Sequence, residues 1–160
     1  MNAAQISQRL RAYQSGMMPA SVAPRVAGCS TQLMPTELRL PEEESWRAEE
    51  VLKIAQQRGF DYRHYYKRAS TRDVEALRLL MAFPCDGDAT DGHAWFLHEL
   101  LDLVGDVFFA EAMAKESADT CAMVGGLLLF NMGFDHGYEA EVIASFSRRY
   151  PRTYLATVAG

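Results

Sequence analysis

Lysine is nearly missing from this 160-residue chain: it has three lysines against thirteen arginines. Between residues 85 and 147 the shortage extends to positive charge altogether, because Lys115 stands there alone against twelve acids. A nucleic-acid-binding domain usually carries a basic face and a high isoelectric point. This chain carries a net charge of −5 and a pI near 5.4, which argues against a nucleic-acid partner. Cysteine is also scarce. Cys29, Cys85 and Cys121 are odd in number and lack zinc spacing, so neither a disulfide framework nor a structural metal is read from them. Three isolated thiols suit a reducing cytoplasm, where cysteine serves as a small hydrophobe. The arginine bias is read as the mark of a GC-rich bacterial genome.

Long apolar runs are missing too. The nearest approach is Cys121 to Phe130, against the roughly 20 residues that span a bilayer, so no membrane association is expected. No secretory apolar segment follows Met1, since Gln5, Arg9 and Arg11 break up the first dozen residues. Val26-Ala-Gly-Cys-Ser30 spells a lipobox, but two prolines and Arg25 interrupt the stretch upstream, which argues against lipidation. Strict alternation of apolar and polar residues is not found either, which removes half-buried strands from the expectation.

Helical signals fill the rest. Residues 3–15 carry an apolar stripe, whereas residues 16–41 hold Pro19, Pro24, Pro35 and Pro41 and little periodicity. We therefore divide the chain into an N-terminal helix and proline-rich arm (1–41) and a helical domain (42–160). After Pro41 helix follows helix. Gly59, Gly105 and Pro151 read as stops, and Ser70 or Thr71, Asp91, Asp106, Ser117 and Asp135 read as starts. Residues 152–158 are read as a final turn. Met123 to Phe130 could be a strand, but its strongly helical neighbours favour a central helix whose Gly125 and Gly126 admit a neighbour closely. The expected fold is an all-α single domain of about seven helices, stacked as antiparallel hairpins in an orthogonal bundle or a short HEAT-like array. Leu100, Phe109, Leu128 and Phe146 should share its core.

Motifs that carry chemistry are few. Asp86, Asp88 and Thr90 fit the first positions of a calcium loop, yet Asp91 replaces the glycine and Leu97 the closing glutamate. His93 and His98 are five residues apart, on different helix faces. His98 and Asp102, at i and i+4, could share a ligand, and His136 follows Asp135 at a helix start. The paired E-x-x-H of a di-iron bundle is not present, and neither is G-x-S-x-G nor a phosphate-binding glycine loop. No cofactor or metal and no catalytic residue is assigned.

Two surfaces stand out. The first is acidic: Asp86, Asp88, Asp91, Glu99, Asp102 and Asp106 come from one loop and the helix after it, and are expected to form one face that steers a basic protein partner. The second spans residues 58–72, where five basic residues interleave with Phe60, Tyr62, Tyr65 and Tyr66. Tyr62, Tyr65 and Tyr66 are candidate hot spots for the same partner. An RNA contact is the alternative use of this stretch. The leading functional expectation is a non-enzymatic bacterial protein that binds another protein, in the class of immunity or antitoxin-like proteins. The alternative is a metal-dependent enzyme using His93, His98, Asp102 and His136.

Overall fold

The computed structural model describes residues 45–133 and 139–158, and 80% of them are helical, with no strand. Eight helices are described: α1 (Ser45–Gln57), α2 (Tyr62–Ser70), α3 (Val74–Met81), α4 (Asp88–Val104), α5 (Asp106–Met113), α6 (Ala118–Asn131), α7 (Glu139–Arg149) and α8 (Pro151–Val158). They form a single all-α domain. The proline-rich arm, the 41/42 boundary, Cys29 and the Asp135–His136 helix start lie outside the described residues.

Helix ends follow local chemistry, with four departures from the sequence reading. Asp106 does not cap α5: it is the first residue of that helix, and Gly105 holds the cap position. Asp73, not Ser70 or Thr71, caps α3, its carboxylate accepting the Glu75 and Ala76 N–H groups at 3.1 and 3.0 Å. Asp91 does not cap α4, which begins three residues earlier, after Gly87. Pro151 does stop α7, but it then opens α8 as a full helix rather than a last turn. Proline suits a first helical position because its missing N–H would have had no partner there. Ser117 caps α6 as read, accepting the Thr120 N–H at 3.2 Å. Gly105 separates α4 from α5 at φ +85°, a left-handed angle that residues with a Cβ adopt only at a cost.

The central helices are α4 and α6. α4 packs on α1, α2, α5 and α6, and α6 packs on α4, α7 and α8. α6 is apolar nearly all round, as a helix in the middle of a bundle must be, whereas α4 buries most of its length but keeps Asp88, Asp102 and Leu103 exposed. Leu100, Phe109, Leu128 and Phe146 are all fully buried. The doubtful stretch from Met123 to Phe130 is helical, and Gly125 does admit a neighbour. A Cβ built there would sit 2.5 Å from Thr157 Cγ2 of α8.

Candidate functional site

Asp88 and Asp102 are fourteen residues apart on one helix, a rise of roughly 21 Å, so the six acids do not gather at one spot. Glu99, Asp102 and Asp106 bond to residues distant in the chain. Glu99, half-buried, accepts a short hydrogen bond from the Tyr66 hydroxyl. Asp102 accepts from the Tyr150 hydroxyl at 2.5 Å and from Arg149 at 3.0 Å. Asp106 accepts the N–H groups of Arg152 and Thr153 at 3.0 and 2.8 Å. At the other end of α4, Asp91 is half-buried, while Asp86 and Asp88 are exposed and make no ion pair among the described residues. The acidic surface supplied by this set is therefore the loop before α4, not a continuous face along it.

The aromatic and basic stretch is divided by helix geometry. In α2 the i, i+4, i+7 set Tyr62, Tyr66 and Ala69 turns inward. Tyr62 is 2% exposed and Tyr66 5%, so neither ring offers the surface contact expected from sequence. Tyr65 is half-buried and stacks on Phe60, with centroids 4.8 Å apart. Phe60 in turn stacks on Phe83. Arg58 donates a short bond to the Pro84 carbonyl, and Arg68 holds Asp73 at 2.5 and 2.8 Å. Arg63, His64, Lys67 and Arg72 remain on the exposed side.

Beneath that helix His93 is wholly buried. Its Nδ1 lies 2.7 Å from the Tyr62 hydroxyl, and its Nε2 has no hydrogen-bond partner among the described residues. Burial lowers its pKa to about 3, because the charged ring would lose its hydration without gaining a counter-charge. Burial also raises the Tyr62 phenol, with neighbouring Cys85 adding to the effect. The Cys85 thiol is pushed up to about 12 by burial, against the pull of Arg58. A thiol that stays protonated is a poor nucleophile.

His98 belongs to a second polar group. Asn131 Nδ2 lies 2.8 Å from its Nδ1, and the Tyr150 hydroxyl lies 3.2 Å from its Nε2. The phenol donates to Asp102, so it accepts from His98 Nε2–H, which leaves Nδ1 to accept from the Asn131 amide. His98 and Asp102, read from sequence as a pair that could share a ligand, instead meet at the Tyr150 hydroxyl of the same chain. Burial lowers the His98 pKa, with Asp102 opposing the shift. Burial and the bond to Asp102 raise the Tyr150 phenol. Asn131, Arg149 and Tyr150 were not legible as site residues, since they come from α6 and the α7–α8 corner, far along the chain. Among the described residues no three His, Cys, Asp or Glu side chains converge as a metal site would need. His136 lies outside them.

No protein-family model, curated protein or solved structure matches this chain.

Proposed function

We propose that this chain is a non-enzymatic protein-binding domain whose exposed acids at the start of α4, Asp86 and Asp88, engage a basic surface on another protein. One observation carries the choice of binding over catalysis. Six buried or half-buried groups among the described residues are displaced toward the uncharged form: His93 down to about 3, Cys85 up to about 12, Tyr62, Tyr66 and Tyr150 upward, and His98 downward. General acid–base chemistry works best with a group poised near the operating pH, and burial here moves each group the other way.

Asp86 and Asp88 support the acidic half of the reading, being exposed beside a helix start with no ion pair among the described residues. In this reading the domain acts as a cytosolic bacterial immunity or antitoxin-like protein that covers a basic toxin surface. The test begins with co-purification of the product of the adjacent gene. Its association rate is then measured against the wild-type chain and a D86K/D88K variant at several salt concentrations. Association should slow by about tenfold in the variant, with a shallower salt dependence. A rate untouched by the double reversal would remove the acidic loop from the interface.

A further inference from the structure

The outer face of α2 carries charge of the opposite sign. Tyr62, Tyr66 and Ala69 take the inward positions, which sends Arg63 and Lys67, one turn apart, to the solvent side with His64 beside them. Arg68 also points out, but Asp73 neutralises it. Asp61 at the start of the helix is occupied in accepting the His64 N–H at 3.0 Å. Arg63, Lys67 and Arg72 form no ion pair among the described residues. Arg72 is moreover the one non-glycine among the described residues at positive φ, +65°. Glycine or asparagine suits that angle better; the Arg72 N–H donates to the Ala69 carbonyl at 2.9 Å, and its side chain is exposed. Three cations are thus held on a short rigid helix and its following turn.

We propose that this face docks an acidic stretch of a partner protein. A nucleic-acid strand fits it less well, because the rings that would stack on bases are buried or already stacked on a neighbour. A carboxylate patch on a protein needs no such stacking, and arginine grips carboxylates in bidentate fashion. The inference rests on the protein-binding reading and deepens it. The Arg58–Pro84 bond and the Phe60–Phe83 stack tie the segment leading into α2 to the segment leading into the acidic loop. A partner that engages both charged surfaces carries an acidic patch as well as a basic one. Paired patches of opposite sign fix the register of a complex and reject wrong partners.

The experiment uses the full chain and fluorescent poly-L-glutamate, followed by anisotropy at low and physiological salt. Wild type should bind at low salt, and R63E/K67E should weaken binding by about tenfold. Retained helical circular dichroism checks the fold, and R63Q/K67Q, which removes charge without reversing it, serves if the reversal misfolds. D86K/D88K should keep or tighten poly-L-glutamate binding while losing binding to poly-L-lysine, so the two faces fail or succeed separately. Equal poly-L-glutamate binding by wild type and R63E/K67E overturns the proposal. Tighter binding of a single-stranded RNA of the same length than of poly-L-glutamate overturns it in favour of a nucleic acid.

Discussion

Asp106 caps a helix that begins 45 residues further along the chain. Its two carboxylate oxygens accept the N–H groups of Arg152 and Thr153, the second and third residues of α8. Those are the donors that a local N-cap side chain would serve, and the carboxylate also meets the positive end of the α8 dipole. D106A should cost about 1–2 kcal/mol by urea denaturation, and D106N about half of that, because one oxygen remains to accept. Equal loss in both variants would mean that charge, not hydrogen bonding, does the work.

His93 makes stability depend on pH, and the sign is fixed by its environment. Its pKa in the folded state is about 3, below the unfolded value near 6.5. The unfolded chain therefore binds the extra proton between those limits, and stability falls as pH falls from about 6.5 toward 3. The loss integrates to an order of 5 kcal/mol. His98 is shifted in the same direction and adds to the slope. Urea midpoints measured from pH 7 to pH 4 should show this decline. Y62F/H93L, which removes the buried pair together, should flatten most of it.

Gly125 is required by the approach of α8. Alanine there gains about 1 kcal/mol of helix propensity, yet its Cβ would lie 2.5 and 2.6 Å from Thr157 Cγ2 and Cβ. We expect G125A to destabilise by about 1–3 kcal/mol, the usual cost of overpacking. T157G should recover much of that loss in the double variant. Additive losses in the thermal midpoints would show that the two residues do not press on each other.

Tyr150 holds the α7–α8 corner against α4 through Asp102 and His98. Y150F keeps the ring in place but leaves both partners short of a hydrogen bond. A loss of about 1–3 kcal/mol is expected. Hydrogen exchange should quicken across residues 146–158, while α1 to α3 stay as protected as in wild type. Uniform deprotection would place the effect in global stability instead.

The helices were legible because their signals are local. Ser117 beside an apolar run, Gly105 between two periodic segments, and inward positions such as Phe109 and Phe146 all depend on residues within a turn or two. The site was legible only in fragments. Asp102 and Asp106 were seen as acids on one side of a helix, but their partners Arg149, Tyr150, Arg152 and Thr153 lie 46 to 48 residues away. No spacing rule reaches that far. Tyr62 and Tyr66 misled in the same way, because a basic and aromatic stretch has the same composition whichever face turns inward.

The sequence alone settled the all-α class, the burial of Leu100, Phe109, Leu128 and Phe146, and the imbalance of charge between the two halves. Each follows from short-range periodicity or from counting. Tertiary packing decided which charges stay free. Packing of α2 and of the α7–α8 corner against α4 and the start of α5 gave Glu99, Asp102 and Asp106 structural partners and left Asp86, Asp88, Arg63 and Lys67 at the surface. The reason is that a charge entering a partly buried position must be paired or hydrogen-bonded, and the groups available to pair it are set by which distant helix the fold brings alongside.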